Sequence, residues 1–194
     1  NETFEPEIRG KLKSALQMPN IMVLAGSGTS LGDIVKGPRM WDLWLVCTTN
    51  DMDIIAKECF AENKFDITIE SNQNIEICLS HCEAYSQVST TKEKTTLFIK
   101  KCKELILKKC RFINDKDAQL LGHKEFIRKL ARRKSKDPRV KLFTTNYDTC
   151  FEDAAGLLGI TVIDGFSFSI PRIYDARFFD MDIVRRNTSS SSTN

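Results

Sequence analysis

The sequence predicts an α/β fold in which a parallel sheet is flanked by helices. Three short apolar runs, at residues 21–25, 140–145 and 161–163, have the length and composition of buried strands. Segments with helical periodicity separate the first two runs, and a helical segment at 148–158 separates the last two. Because strands that alternate with helices usually pack as parallel neighbours, this order predicts the fold class.

Five further helices are predicted from apolar side chains at three- and four-residue spacing. The first extends from about residue 5 to residue 17, and the second begins near Met40 or Trp41. The apolar faces of the third, fourth and fifth helices are formed by Ile75, Cys78, Leu79, Cys82 and Tyr85; by Phe98, Cys102, Leu105, Ile106 and Ile113; and by Leu120, Leu121, Ile127, Leu130 and Ala131. The second to fifth helices therefore form a helical insertion between the first two strands.

Length and composition indicate an ordinary globular domain. The chain has 194 residues and a formal charge of +3, an excess too small to indicate a nucleic-acid partner. No apolar stretch approaches the roughly 18 residues of a membrane span, and the first ten residues do not resemble a signal peptide. Seven cysteines without a paired framework favour a reducing, cytoplasmic location. Residues 1–186 are expected to form the domain, and 187–194 a polar, serine-rich tail.

A glycine-rich loop follows the first predicted strand. Its residues are Gly26, Ser27, Gly28, Thr29 and Ser30. Glycine lets backbone N–H groups approach phosphate oxygens closely, so a loop of this kind can bind a phosphorylated ligand. The spacing matches neither G-x-G-x-x-G nor a P-loop, and a plain strand-to-helix turn explains the loop about as well.

A second polar segment, Thr144-Thr145-Asn146-Tyr147-Asp148, follows the second predicted strand. Asn146 or Asp148 could cap the next helix, since their side chains satisfy free N–H groups at helix N-termini. Alternatively, these residues form a binding site, because ligands of open α/β sheets bind at the carboxyl ends of the strands. If the two strands are neighbours, both polar loops meet in one crevice.

Two other polar features are better explained by packing. Cys78 and Cys82 lie on the apolar face of the third helix and lack a second pair of zinc ligands, which favours core cysteines. His123 lies between Leu120 and Ile127 at helical spacing, which favours a partly buried structural histidine.

Taken together, the motifs resemble a known family. Ala25-Gly26-Ser27-Gly28-Thr29-Ser30, followed by Gly37-Pro38 and Met40-Trp41-Asp42, resembles the first NAD-binding loop of divergent bacterial sirtuins. Phe143-Thr144-Thr145-Asn146-Tyr147-Asp148 resembles the sirtuin N-x-D motif in the T-T-N-Y-D form of sirtuin-like antiphage defence proteins. Residues 151–156 and 164–167 continue the match, which covers about 20 to 186.

The resemblance implies a Rossmann-like sheet and an NAD+ glycohydrolase that forms nicotinamide and ADP-ribose in antiviral defence. Asn146 would be the catalytic residue, orienting the nicotinamide ribose and a water. Asp148 would bind the nicotinamide amide. Residues 26–30 would bind the diphosphate, with Ala25 and Thr145 also at the cofactor. NAD+ would be the substrate, no metal is expected, and the implied partners are further copies of the chain, a HerA-type hexameric ATPase or a fused sensor domain.

Two departures from the family pattern bear on activity. The four-cysteine zinc module of deacylase sirtuins is absent from the sequence, which counts against deacylation. The family's catalytic histidine, in an L-H-G-S segment, is also absent, and neither His81 nor His123 lies in a matching context. We therefore expect an N-terminal fragment of the domain, and a non-catalytic module that binds NAD+ or ADP-ribose, or supports assembly, is the alternative hypothesis.

Overall fold

A computed structural model describes residues 4–133 and 137–183 of the chain. These residues form eight α-helices and two β-strands. In chain order they are α1 (Phe4–Leu16), β1 (Met22–Ala25), α2 (Met40–Thr48), α3 (Asp53–Asn63), α4 (Ile75–Val88), α5 (Glu93–Cys110), α6 (Lys116–Gln119), α7 (Leu121–Ala131), β2 (Lys141–Thr144) and α8 (Cys150–Leu157). The predicted tail, 187–194, lies outside the described residues.

The two strands pair in parallel, with Met22 beside Lys141 and Ala25 beside Thr144. The predicted α/β class, the parallel pairing and the helical insertion between the strands are confirmed. The third predicted strand, 161–163, is wrong, because in the described part of the chain the sheet has two strands only. Val162 in that segment is 39% exposed. Its branched, apolar composition favours an extended backbone, but a strand also requires a pairing partner.

The largest core lies in the insertion, where α2–α5 form what we call the helical body. α5 packs against α2, α3 and α4, and so occupies the centre of the group. Phe98 of α5 is fully buried and meets Phe60 of α3 edge-to-face, with 5.5 Å between the ring centroids. The two rings therefore anchor the contact between α3 and α5.

Helix α3 was not predicted from the sequence. Its buried residues are Ala56, Cys59, Phe60 and Asn63, which have helical spacing. Only Phe60 among them is strongly apolar. The Asn63 side chain is satisfied inside the core, where its amide donates to Cys59 Sγ (3.3 Å) and Cys82 Sγ (3.2 Å) and its oxygen accepts from the backbone N–H of Phe65 (3.0 Å). A buried asparagine weakens the apolar pattern by which an amphipathic helix is recognised.

A second, smaller core lies where α7 and α8 pack against the strands, and we call β1, β2, α7 and α8 the sheet half. Its buried residues are Ala25, Leu120, Ile127, Cys150, Phe151, Ala154 and Ala155. Only one face of the sheet contributes to this core. On the opposite face, Met22, Leu24 and Phe143 are 72%, 78% and 55% exposed.

The segment from the end of α8 to residue 175 is irregular and contains the residues 164–167 that continue the family resemblance; a 3₁₀ helix, Ala176–Asp180, follows it. Phe166 and Tyr174 form an isolated antiparallel bridge. The Arg172 guanidinium donates to both carboxylate oxygens of Asp164 at 2.7 and 2.8 Å. Gly165 has a φ of +80°, and a Cβ there would lie 2.7 Å from the Phe179 ring. Local contacts therefore shape this segment in place of a regular element.

All seven cysteines are buried free thiols. Cys78 and Cys82 are fully buried in the helical body, which confirms that they are core residues. The described residues contain no group of three or more histidine, cysteine or acidic side chains placed to hold a metal ion. Nor is any helix within 4–133 or 137–183 long and apolar enough to cross a membrane.

Candidate functional site

The candidate site lies where the parallel strands β1 and β2 end. After β1, the chain turns through a short 3₁₀ helix, Ser27–Thr29, in which Thr29 N–H donates to the Gly26 carbonyl at 3.0 Å. After β2, Thr145 N–H donates to the Ala25 carbonyl at 3.1 Å, which extends the strand pairing by one bond. Because the strands are parallel neighbours, the two polar loops meet, as the sequence predicted.

Asn146 connects the two loops through its side chain. Its Nδ2 donates to Thr29 Oγ1 at 3.2 Å and to Ser30 Oγ at 3.0 Å. Ser30 is 3% exposed, so this contact lies at the buried base of the crevice. Asn146 is therefore not a cap of α8, one of the two roles open to it from the sequence, and it belongs to the loop cluster instead.

The orientation of the Asn146 amide is fixed by the Thr29 hydroxyl. Thr29 Oγ1 donates its proton to the Gly26 carbonyl at 2.8 Å, so it can only accept from Asn146. The amide must then present Nδ2 to Thr29, and its Oδ1 points elsewhere. Oδ1 is buried and has no hydrogen-bond partner among the described residues. A buried acceptor without a partner is costly, and a ligand or water with an O–H or N–H group would satisfy it.

The glycine-rich loop leaves open space beside this cluster. Gly26, Ser27 and Gly28 are exposed, and a Cβ added at Gly28 would meet no atom within 4 Å. Ala25 is buried, with its side chain in the core of the sheet half and only its carbonyl at the loop. Thr145 is exposed on the opposite side of the crevice. Packing alone therefore does not require glycine at position 28.

Asp148 lies at the entrance to α8. Its Oδ1 accepts from the Cys150 backbone N–H at 3.0 Å, so the carboxylate satisfies one free N–H of that helix. The capping role open to Asp148 from the sequence is therefore present, although Thr149 is the residue that precedes the helix. Burial raises the pKa of the Cys150 thiol to about 12, and the neighbouring Asp148 carboxylate adds to the shift. Cys150 is consequently a neutral core thiol.

Tyr147, between Asn146 and Asp148, joins the site to the helical body. Its hydroxyl donates to Glu76 Oε1 in α4 at 2.9 Å. Partial burial and this bond raise the pKa of Tyr147 to about 12, so the phenol is a neutral donor at physiological pH. Sequence reasoning did not assign a role to Tyr147. Its only signal was an aromatic residue between two polar residues, which does not identify a partner 71 positions away.

Neither histidine belongs to the cluster around Asn146. His81 is exposed on α4, where its Nε2 pairs with the Asn63 carbonyl at 3.1 Å. His123 is 5% exposed and packs against Phe151 with 4.9 Å between ring centroids, so it lies in the core of the sheet half and is more deeply buried than predicted. Both of its ring nitrogens lack a partner among the described residues. Burial lowers the pKa of His123, and the negative charge of Asp148 opposes that shift.

In comparisons with known proteins, the chain matches no protein-family model and no curated protein.

Proposed function

We propose that the crevice between residues 26–30 and Asn146 binds NAD+, and that the protein is an NAD+ glycohydrolase. One observation carries the proposal: the Thr29 and Ser30 hydroxyls hold the Asn146 amide, and its buried oxygen has no hydrogen-bond partner among the described residues. A free acceptor at the end of two parallel strands suits a ligand that brings hydroxyl groups, such as a ribose, or a bound water. The proposal includes a Rossmann-like arrangement, which the parallel pairing of β1 and β2 supports.

The diphosphate of NAD+ fits the open side of the crevice. The loop exposes backbone at Gly26, Ser27 and Gly28, and no side chain fills the space beside Gly28. Such a loop can bring N–H groups to phosphate oxygens. In this proposal Asp148 accepts from the nicotinamide carboxamide, while Thr145 and Ala25 border the ligand.

The reaction breaks the bond between ribose C1′ and the nicotinamide nitrogen. The bonding pair leaves with nicotinamide, which becomes neutral, while positive charge develops on the ribose. A water oxygen then bonds to C1′ and releases a proton to solvent, giving ADP-ribose. Asn146 does not titrate, so its contribution is to orient a ribose hydroxyl or the water through Oδ1.

Residue Asn146 provides the direct test. The Asn146→Ala variant should lower the rate of nicotinamide release from NAD+ by about 100-fold or more, as expected when a positioned polar group at the reacting centre is removed. Release is measured by chromatography of the reaction mixture. Asn114→Ala is the matched control, because Asn114 is an exposed asparagine that lies in neither of the two loops of the crevice. Unchanged turnover in Asn146→Ala would contradict the assignment.

A second variant tests the binding step independently of the chemistry. Gly28→Ala should leave the free energy of unfolding within about 0.5 kcal/mol of wild type, since the methyl group meets no protein atom. It should weaken NAD+ binding in calorimetry, because the methyl group enters the space assigned to the diphosphate. Gly10→Ala in α1, where added Cβ atoms also meet nothing, should leave NAD+ binding unchanged.

A non-catalytic module that binds NAD+ or ADP-ribose is the second candidate. One observation favours it: among the described residues, no histidine lies in the hydrogen-bonded cluster around Asn146. Calorimetry combined with nicotinamide analysis separates the two candidates, since the module binds NAD+ and leaves it intact. A role in antiviral defence, self-assembly and association with a HerA-type ATPase or a sensor domain belong to the main proposal on the resemblance alone.

A further inference from the structure

A second cleft lies between α2, the end of α5 and the loop around Gly37. Its volume is about 480 Å³. Small-molecule sites in proteins are clefts of about 300–1,000 Å³, so this one has room for a ligand of nucleotide size. Residues 26–30, Asn146 and Asp148 do not line it, whereas Gly37, Pro38 and Asp42 in its wall belong to the segment that resembles the family's first NAD-binding loop.

Four cations surround this cleft. Lys36 comes from the loop, Lys108 and Lys109 from the last turn of α5, and Arg111 from the residue that follows α5. In the described part of the chain none of the four forms an ion pair with a carboxylate. The single carboxylate in the lining, Asp42, accepts from the Arg39 backbone N–H at 2.8 Å and caps α2.

The charge in the cleft is large relative to the whole protein. The formal charge of the complete chain is +3, and the four cations and one carboxylate of the cleft account for a surplus of the same size. Lysines at the end of a helix are also explained by the helix dipole, which favours cations there. That explanation does not extend to Lys36, which reaches the same cleft from a different segment.

The remaining lining is apolar and comes from Val46, Leu105 and Phe112. Cations beside an apolar surface suit a ligand that carries phosphate groups and a flat ring. We propose that this cleft binds a phosphorylated small molecule of the nucleotide class, at a site separate from the NAD+ crevice.

The cleft is connected to Asn146 by a short series of hydrogen bonds. Gly37, in the cleft wall, donates its N–H to the Ser30 carbonyl at 2.8 Å, and Ser30 Oγ accepts from Asn146 Nδ2 at 3.0 Å. The contact is tight, because a Cβ at Gly37 would lie 2.5 Å from the Ser30 oxygen and 3.1 Å from the Phe112 ring. A ligand that displaces Gly37 or Phe112 therefore moves Ser30 and with it Asn146. The cleft is thus a regulatory site for the crevice.

ADP is the probe that tests this proposal. In ¹⁵N NMR titrations of the protein with ADP, backbone signals of residues 108–112 and Gly37 should shift together with a single midpoint. The Lys108→Gln/Lys109→Gln double variant should bind about tenfold more weakly by these signals, as expected for the loss of two exposed cation–phosphate contacts. Absence of shifts at residues 108–112 would overturn the proposal.

The matched control is Lys100→Gln/Lys129→Gln, which removes the same charge at exposed positions outside the cleft. Equal weakening in this control would show general electrostatic attraction and overturn the site. The side-chain amide signals of Asn146 should shift less in the cleft variant than in wild type; identical shifts in both would overturn the connection to Asn146. Asn146→Ala should still bind ADP in the cleft, so a failure of NAD+ hydrolysis is distinguishable from a failure of this proposal.

Discussion

The helical body and the sheet half differ in how completely they bury their apolar side chains. The body surrounds α5 with three helices and buries Phe98 completely. In the sheet half, the strands are packed on one face only, and Leu24 and Phe143 project from the other. Stability is therefore expected to be concentrated in the inserted helices, whereas the candidate site lies on the more weakly packed strands.

This difference shows why the contact between the two parts matters. The residues of the crevice sit on strands of four residues each, and two short strands are marginally stable without packing against other elements. Tyr147 and Glu76 provide a hydrogen bond from the crevice to α4. The candidate site therefore lies at the strands of the sheet half and is supported by a contact with the helical body.

The largest expected effect is a difference in unfolding free energy between alanine variants of two phenylalanines, one in each part of the molecule. Phe98→Ala should lower the free energy of unfolding by about 3–5 kcal/mol, because it leaves a cavity in a closed core. Phe143→Ala should change it by about 0.5 kcal/mol or less, since that ring is 55% exposed. Urea denaturation followed by circular dichroism measures both. Similar losses in the two variants would mean that the sheet face is covered in solution, and the comparison would fail.

A smaller effect is expected from His123 in the core of the sheet half. Burial lowers the pKa of its imidazole below the ordinary value of 6.5, so the unfolded chain binds this proton more readily than the folded one. Its contribution to stability is therefore complete above the unfolded pKa and is lost as the pH falls through about 6.5 toward the folded value. His123→Phe should lose less stability than wild type between about pH 7 and about pH 5.

The measurement for His123 is the slope of unfolding free energy against pH, from urea titrations at several pH values. Comparing slopes removes any constant difference that arises from repacking of the larger phenylalanine ring. Parallel curves for wild type and His123→Phe would contradict the predicted linkage.

The smallest expected effect concerns the hydrogen bond from Tyr147 to Glu76, which connects the crevice to the helical body. Tyr147→Phe should lower the unfolding free energy by only about 0.5–1 kcal/mol, because both partners are partly exposed. Amide hydrogen exchange at residues 146–150 should accelerate while α4 keeps its protection. Tyr85→Phe removes a bond of the same length, 2.9 Å to the Thr91 carbonyl, but within the helical body. It should leave exchange at 146–150 unchanged, and acceleration in both variants would argue against a specific connection.

The helices with long apolar faces and the strands β1 and β2 were predictable from the sequence. Elements that depend on partners far away in the chain were not. Helices α4 and α5 show continuous apolar faces and formed where they were predicted, but α5 ends at Cys110. Ile113, which was predicted on its apolar face, lies beyond that end and packs in the core of the sheet half. Helix α3 was missed because its buried face includes Asn63, which is stabilised only by thiols and a backbone N–H brought together by folding. The strand predicted at 161–163 was wrong because pairing is not a local property.

The candidate site was predictable to a similar degree. The meeting of the two loops followed from the parallel order of the strands, and the Asn146 side chain does contact Thr29 and Ser30. The roles of these residues toward NAD+ stay predictions. The link from Tyr147 to Glu76 and the cations around the second cleft could not be predicted, since they join segments far apart in sequence.

The buried thiols are distributed so that each of the two parts can be monitored separately. Six of the seven cysteines lie in the core of the helical body, whereas Cys150 is the single thiol in the core of the sheet half. A buried thiol reacts with an alkylating reagent only when the surrounding structure opens. The alkylation rate of Cys150 therefore reports how often the sheet half opens, and the rates of the other six thiols report how often the helical body opens.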